Sequence, residues 1–237
     1  MLEETVVIRG ADIIERLEEE VSHYKKVFGR NNKVFISGII IEEFTPVIYW
    51  NRKFYRTKVS VKRPRGVEDI IPIIVSPLLL GKNSKKNLVT GKWIEVAGEI
   101  NSYDTKNKNG CNHVLLFVFA NVINICSDEY ELKEAPYSNI VYLNGYVCKT
   151  PVFREMSSQK MQITKFIIAT HGDGHIVNFI PCTTWAEDAY KAAEFKPGDD
   201  IQLYGRFQSR TYFKRYSPNS EEGEYRETYE VSVSTMK

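Results

Sequence analysis

The sequence contains one internal repeat, and this repeat constrains the fold more than any other feature. Three segments of the first half match three segments of the second half at a single offset of 107 residues. The matching pairs are 32–38 with 139–145, 57–61 with 164–168, and 91–98 with 198–205. Three collinear matches at one offset indicate a duplicated domain. We expect the two copies at 31–126 and 138–237, joined by a short acidic linker at 127–137.

The hydrophobic pattern of each copy predicts five strands and one short helix. In the second copy the predicted strands are 140–147, 161–170, 175–182, 200–213 and 224–234, with the helix at 185–194. Gly145 inside the first strand indicates a bend around a barrel. This element order in about 100 residues is typical of the OB-fold. The predicted fold class is therefore all-β, with two tandem OB-fold five-stranded Greek-key barrels and a short N-terminal helix.

The predicted N-terminal helix lies within residues 1–30, before the repeat. Its apolar residues recur at three- or four-residue spacing: Ile14, Leu17, Val21, Tyr24 and Phe28. That spacing gives an amphipathic helix. We expect it to pack on the first barrel, and the alternative is that it docks a second copy or another protein.

The formal net charge of +2 conceals an uneven distribution. Residues 31–126 hold 14 Lys and Arg against 7 Asp and Glu, a net charge of +7, whereas residues 138–237 hold 12 of each. In the first copy, bases alternate with aromatic residues in Tyr49, Trp50, Arg52, Lys53, Phe54, Arg56, Lys58, Lys62 and Arg63. A single-stranded nucleic acid needs cations for its phosphates and flat rings for its bases. We predict that these residues bind one, and the alternative is a solvated hairpin with cross-strand aromatic pairs.

The fourth predicted strand of the second copy carries a similar pattern. Strand alternation puts one set of side chains on a polar face: Arg206, Gln208, Arg210, Tyr212 and Lys214. Phe207, Ser209, Thr211 and Phe213 point the other way. We therefore predict that Arg206, Arg210, Tyr212, Lys214 and Arg215 also contact nucleic acid.

The second copy resembles the bacterial single-stranded DNA-binding protein (SSB) family over about 100 residues. The most specific segment is Gly205-Arg206-x-Gln208-Ser209-Arg210-x-Tyr212. Other matching residues are Asn139, Val141, Leu143, Gly145, Pro151, Arg154, Phe166, Ala169, Cys182, Trp185, Ala189, Gly198, Asp199, Ile201, Tyr229, Glu230 and Val231. The first copy resembles the family only through the internal repeat, with Gly98, Ser102 and Tyr103 as remnants of the specific segment.

The resemblance implies sequence-independent binding and protection of single-stranded DNA in replication, repair or recombination. It implies that Phe179, Trp185 and Tyr212 stack on bases and that Arg206 and Arg210 contact phosphates. Tyr103 and Arg154 complete the predicted binding set. For Phe179 and Trp185 the alternative is packing on the barrel.

The resemblance also bears on assembly. Family members usually join four single-barrel chains, so we expect a homodimer that supplies four OB-folds. Single-stranded DNA is the expected partner, together with replication or repair proteins. The loop at 171–175 is shorter than in the family, the first copy is divergent, and no acidic tail precedes Lys237. These departures argue against a housekeeping role more than against the binding activity. The alternative is a specialised or mobile-element role.

No residue pattern predicts an enzyme, a metal site or a cofactor. The four cysteines form no CxxC pair, and His171 and His175 flank a predicted hairpin turn. No phosphate-binding glycine loop or Ser-His-Asp pattern occurs. We expect no catalytic residue, and the alternative functions are an RNA-binding or translation-linked OB-fold protein and a protein-binding scaffold. Without an apolar span or an export signal, we expect a cytoplasmic, nucleoid-associated protein away from membranes.

Overall fold

The computed structural model describes residues 32–63, 66–82, 87–106, 112–126, 139–156, 161–171, 176–217 and 220–237. The predicted N-terminal helix at 1–30 and the predicted linker at 127–137 lie outside these residues. No helix among the described residues is long and apolar enough to cross a membrane.

Six strands and one short helix build barrel one. They are β1 (Asn32–Ile40), β2 (Thr45–Tyr49), β3 (Arg52–Lys62), β4 (Glu68–Val75), α1 (Pro77–Lys82), β5 (Trp93–Lys106) and β6 (Asn112–Ile125). β1 pairs with β5 along most of its length and with β3 at Ile39 and Ile40. β2 then continues the pairing along β3, and the parallel pair β4–β6 closes the barrel.

Barrel two repeats this plan. Its elements are β7 (Asn139–Val147), β8 (Val152–Met156), β9 (Met161–His171), β10 (Val177–Trp185), α2 (Glu187–Ala193), β11 (Asp200–Arg215) and β12 (Gly223–Met236). β7 pairs with β11 and with the end of β9, and the parallel pair β10–β12 closes the barrel. The same connections in both halves follow from the sequence repeat.

Alternating side chains explain the strands and place the core inside each barrel. In β9, Phe166 and Ile168 are buried, whereas Lys165 and Ile167, which alternate with them, are partly exposed. Where each barrel closes, glycine is required because two backbones nearly touch. A Cβ added at Gly38 would lie 2.3 Å from the Ser60 carbonyl oxygen, and one added at Gly145 would lie 2.1 Å from that of Ala169. Gly145 therefore permits closure of the barrel, as its position in the predicted strand indicated.

The predicted fold class, two tandem OB-fold barrels, is confirmed, with one difference in the strand count. Each barrel has six strands instead of five, because a break follows the predicted first strand and a further short strand, β2 or β8, comes after it. The breaks lie at 41–44 in barrel one and at 148–151 in barrel two. At both breaks the chain bends from one side of the barrel to the other while it stays beside β3 or β9. The hydrophobic pattern missed the short strand β8, because its side chains at 152–155 are all exposed and show no buried face.

The two barrels join through their first strands into one twelve-stranded sheet. β1 runs antiparallel to β7, with Val34 opposite Val141 at the centre and Asn32 opposite Leu143. Val34 and Val141 are repeat equivalents, so a local two-fold axis passes between them. We call this β1–β7 contact the seam.

Candidate nucleic-acid interface

The outer face of barrel two consists of outward side chains of β8, β9 and β10. Arg154 lies opposite Ile163, and Ile163 lies opposite Trp185. Phe179 precedes Trp185 by six residues on β10, so both rings are on this face and about 20 Å apart. Trp185 is 37% exposed and Phe179 is 49% exposed. The structure thus places three of the predicted binding residues on one accessible face.

A pocket of about 310 Å³ lies beside this face, between β9, β10 and the β11–β12 hairpin. Its charged lining residues are Lys149, Lys165, Arg210 and Glu230. The buried Glu230 carboxylate accepts hydrogen bonds from Lys165 Nζ at 3.1 Å and Gln208 Nε2 at 2.9 Å. Burial by itself would raise the pKa of Glu230, but Lys165, Thr183 and Gln208 outweigh that effect and lower it. The pocket therefore has an ionised, satisfied floor and a cationic rim.

The outer face of barrel one is filled by rings. We call Tyr49, Trp50, Phe54, Tyr103, Phe117 and Phe119 the barrel-one cluster. Tyr49 stacks on Phe117 with ring centroids 5.2 Å apart, and Trp50 meets Tyr103 edge-on at 5.3 Å. Such ring pairs stabilise by about 0.5–1.5 kcal/mol beyond the burial of their area.

Only part of the barrel-one cluster is accessible to a base. Tyr49 is 8% exposed and Phe54 is 9% exposed, whereas Trp50 and Tyr103 are half-buried. The sequence predicted that all four contact nucleic acid. In the structure Tyr49 and Phe54 support the cluster from below, because they pack against Ile74 and Phe117.

Trp50 is held in an unusual backbone conformation. It and Asn51 form the two-residue turn between β2 and β3, with φ of 47° and 57°. Two positive φ angles belong to the type I′ hairpin turn, in which glycine or asparagine is preferred. A bulky residue at positive φ costs about 1–2 kcal/mol. Ring contacts within the barrel-one cluster offset that cost and fix the indole at the hairpin tip.

The predicted bases of barrel one differ in availability. Arg52, Lys53 and Lys62 are exposed, and the Lys53 ammonium lies 5.6 Å from the centre of the Tyr55 ring. Arg63 is bound in bidentate geometry by the buried Asp69, which raises the pKa of the guanidinium. Arg63 therefore has a structural role in place of the phosphate contact that the sequence predicted.

Arg56 and Lys58 lie deeper, in a groove that crosses from one barrel to the other. Burial raises the pKa of Tyr49, and the neighbouring Arg56 opposes this effect. Lys58 Nζ lies 3.2 Å from Glu42 and 3.6 Å from Glu227 of barrel two. The groove encloses about 190 Å³, and Arg56 and Lys58 face Glu227 across it. Both barrels thus contribute charged side chains to one continuous depression.

Arg206 lies beside Arg63 and Asp69 of barrel one, and Gln208 lies under the barrel-two pocket, where it donates to Glu230. Gln208 is buried, and Arg206 donates to it from Nη2 at 3.2 Å. Burial and the nearby Arg63 lower the pKa of Arg206, while Asp69 acts in the opposite direction. Arg206 is therefore only partly exposed and Gln208 is buried, so the polar face of β11 is not open along its whole length. Strand alternation cannot show these contacts, because they depend on what packs over the strand.

The outer end of the β11–β12 hairpin is open. Its predicted binding residues, Arg210, Tyr212, Lys214 and Arg215, are all exposed. Tyr212 is 40% exposed and pairs with Arg226 across the hairpin. Sequence reasoning missed Lys149 and Lys165 on the pocket rim and Tyr225 at the tip. The signal for Lys165 was the repeat, because Lys165 matches Lys58 in the sequence and takes the place of Arg56 in the strand pairing.

Comparison with known proteins finds one family model that matches the second half of the chain. Residues 138–237 match the model of the "Single-strand binding protein family". The second barrel is thus similar to this family. The SSB resemblance predicted from the sequence is thereby confirmed, and its quoted residues lie in β7–β12, in α2 and in the loops of barrel two at 151 and 198–199.

Solved structures resemble both barrels together. The wild-type single-stranded DNA-binding protein from Thermus aquaticus has a TM-score of 0.65 and 17% identity, covering 88% of this chain and 93% of that chain. A deletion and point mutant of the same protein has a TM-score of 0.64 and 16% identity, covering 89% and 95%. These matches show that the fold is shared across both barrels. No curated protein sequence matches the chain.

Among the described residues, no three His, Cys, Asp or Glu side chains come together as metal ligands. Cys182 is buried in the barrel-two core, and burial raises the pKa of its thiol well above the usual range. A neutral, inaccessible thiol is a poor nucleophile.

Proposed function

We propose that this protein binds single-stranded DNA without sequence preference and protects it during replication, repair or recombination. The observation that carries this proposal is the groove between the two barrels, where Arg56 and Lys58 of barrel one face Glu227 on β12 of barrel two. Accessible rings lie on both barrels, with Trp50 beside the groove residue Tyr49 and Trp185 on the outer face of barrel two. Rings stack on any base and cations contact any phosphate, so the surface has no need of a particular sequence.

The single DNA strand passes over both barrels. It stacks on the accessible rings of the barrel-one cluster and crosses the groove beside Lys58. It then follows the β11–β12 hairpin to the cationic rim around Arg210. On the outer face of barrel two, Trp185 and Phe179 provide two further stacking positions. Bases held against these rings cannot pair with a complementary strand, and this keeps the DNA single-stranded.

The seam supports a compact assembly. Because β1 and β7 pair inside one chain, two barrels are already related by a local two-fold axis. A homodimer would supply four barrels, and replication or repair proteins are its further partners. Its place of action is the cytoplasm, at exposed single strands of the nucleoid.

The protein acts by binding alone and has no catalytic step. Incubation of labelled single-stranded DNA with the protein and a divalent metal ion tests this point. We expect intact DNA, and cleavage above a mock preparation would contradict the proposal.

Fluorescence anisotropy tests the binding itself. Labelled oligo-dT and a matched duplex are titrated with protein at two salt concentrations. We expect strong preference for oligo-dT and weaker binding at the higher salt, because each phosphate contact releases counterions. Equal affinity for oligo-U of the same length would favour the RNA-binding function. Absence of binding to every nucleic acid at low salt would reject the proposal and favour a protein-binding scaffold.

A further inference from the structure

We propose that the β11–β12 hairpin serves both barrels, one face for each, and that Phe213 and Tyr225 stack DNA bases on the face turned to barrel one. This inference rests on the proposed function and adds two contact residues to it. Strand alternation predicts that Phe213 points away from the binding side, because it follows Tyr212 directly. In the structure the side opposite Tyr212 is also a binding side, because a second barrel lies there.

The pairing register defines the two faces of the hairpin. Arg210 pairs with Thr228 and Tyr212 with Arg226, and this face turns toward barrel two, since Arg210 and Thr228 line the larger pocket. The next row on the opposite face pairs Phe213 with Tyr225.

Three contacts show that the opposite face turns toward barrel one. Glu227 pairs with Thr211 on that face, and its carboxylate lies 3.6 Å from Lys58 Nζ. Ser209, on the same face, accepts a hydrogen bond from the Ile70 backbone N–H at 2.9 Å. The Ser209 N–H donates to Asp69 Oδ1, also at 2.9 Å. From Ser209 to Glu227 this face therefore lies against β3 and β4 of barrel one.

The ring pair is the next row beyond these contacts, about 7 Å closer to the hairpin tip. The ring centroids of Phe213 and Tyr225 are 5.2 Å apart, at an angle of 62°. Phe213 is 43% exposed and Tyr225 is 78% exposed. Arg215 belongs to the same face, and Lys58 lies at its inner end. Exposed rings between cations are the combination that binds a single strand.

Gly223 makes room for this ring pair. It pairs with Arg215, and a Cβ at position 223 would lie 2.7 Å from Phe213 Cζ and 2.4 Å from the Lys214 carbonyl oxygen. The backbone at this row is therefore shaped around the Phe213 ring, which is open to solvent and adds little to the core.

The other hairpin shows that the rings are not needed for the fold. In the β5–β6 hairpin the equivalent row pairs Lys106 with Asn112, and the row before it pairs Asp104 with Val114. The hairpin forms there without an aromatic pair. The rings at 213 and 225 thus distinguish one hairpin from its repeat equivalent, and we assign them to ligand contact.

The test compares three variants in the oligo-dT anisotropy titration at constant salt. The Phe213→Leu/Tyr225→Leu double variant keeps apolar side chains and removes both stacking faces. We expect at least about tenfold weaker binding, since each base–aromatic stack contributes about 1–3 kcal/mol. The salt dependence should not change, because no charge is removed. Tyr225→Phe keeps the ring and should bind as the wild type does.

Tyr146→Ala is the matched control, because Tyr146 is a 53% exposed tyrosine on β7, outside the groove and the larger pocket. It should bind as the wild type does. Photo-crosslinking of oligo-dT that contains 5-iododeoxyuridine, followed by peptide mass spectrometry, should identify Phe213 or Tyr225.

Three outcomes separate the explanations. If the wild type does not bind oligo-dT, the proposed function fails, and the hairpin inference fails with it. If the wild type binds but the double variant binds equally well without a crosslink at either ring, only the hairpin inference is overturned. A double variant with unchanged affinity and a smaller sedimentation coefficient would show that the rings join copies of the chain, which also overturns it.

Discussion

The two barrels share a frame and differ on the face that they present. Arg56 and Lys165 occupy equivalent positions on β3 and β9, because Arg56 pairs with Thr45 and Ile74 where Lys165 pairs with Val152 and Thr183. One row away, Phe117 pairs with Asn101 in barrel one, and Glu230 pairs with Gln208 at the equivalent place in barrel two. A ring at this position nucleates the barrel-one cluster, whereas a carboxylate leaves a polar pocket. The comparison shows that one backbone plan can carry an aromatic platform or a charged pocket, depending on a few outward residues.

The largest expected difference concerns two equivalent asparagines that bind the backbone of β5 and of β11. Asn32 exchanges two hydrogen bonds with the Ile100 backbone, and Asn139 does the same with Phe207. Asn32 is fully buried and also reaches Thr170 of barrel two at 3.4 Å. We expect Asn32→Ala to lower the free energy of unfolding by about 3 kcal/mol and Asn139→Ala by about 2 kcal/mol, because backbone groups lose their partners.

Urea denaturation measures both losses, with the exposed Asn124→Ala as control. Asn124→Ala should change stability by less than about 0.5 kcal/mol. An equal loss for Asn32→Ala and Asn139→Ala would mean that the link across the seam contributes nothing.

The two accessible tryptophans should differ in what they support. Trp50→Ala and Trp185→Ala should each weaken oligo-dT binding by about 1–3 kcal/mol. Only Trp50→Ala should also lower the melting temperature clearly, because Trp50 packs against Tyr49, Phe54 and Tyr103. Anisotropy and thermal unfolding together measure the two effects. Unchanged binding for both variants would exclude both faces from the DNA path.

Charge removal compares the barrels through salt dependence. The Arg52→Gln/Lys53→Gln variant removes two exposed bases from barrel one, and Arg154→Gln/Arg210→Gln removes two from barrel two. Each should reduce the slope of log affinity against log salt by about 1.4, or about 0.7 per phosphate contact. The control variant is Lys191→Gln/Lys196→Gln, which lies away from the groove and the larger pocket. It should leave the salt slope unchanged. A change in only one of the first two variants would restrict DNA to that barrel.

The smallest expected effect is a pH dependence that only barrel two possesses. The pKa of Glu230 is lowered in the folded protein. Its ionised form therefore stabilises the fold above the ordinary carboxyl range, and that contribution is lost as the pH falls through the folded pKa. The stability difference between the wild type and Glu230→Gln should shrink below about pH 4.5, as urea denaturation at several pH values can measure. A pH-independent difference would contradict the role of the Lys165 ion pair. Phe117 cannot titrate, so barrel one has no such term at this position.

Much of the fold could be predicted from sequence, because its main signals are local. The repeat at 107 residues identified two copies, and alternation identified the strands of the second copy. The site was predicted less completely. Lys53 and Tyr212 are exposed as expected, but Tyr49, Phe54 and Arg63 are committed to internal contacts. Whether a side chain on a strand meets solvent depends on what packs over it, and no local pattern carries that information.

The sequence by itself determined that this protein is a duplicated β-barrel chain, that its first copy is basic, and that its second copy resembles the SSB family. The tertiary structure alone decided that β1 pairs with β7 and that Arg206 lies beside Arg63 and Asp69 of the other barrel. It also placed the β11–β12 hairpin between the groove and the larger pocket. The physical reason is the separation along the chain of the residues that each feature involves. Strand alternation and charge are properties of neighbouring residues, whereas Ser209 meets Asp69 across 140 positions of the chain. Such contacts exist only after both barrels have folded and docked along the seam.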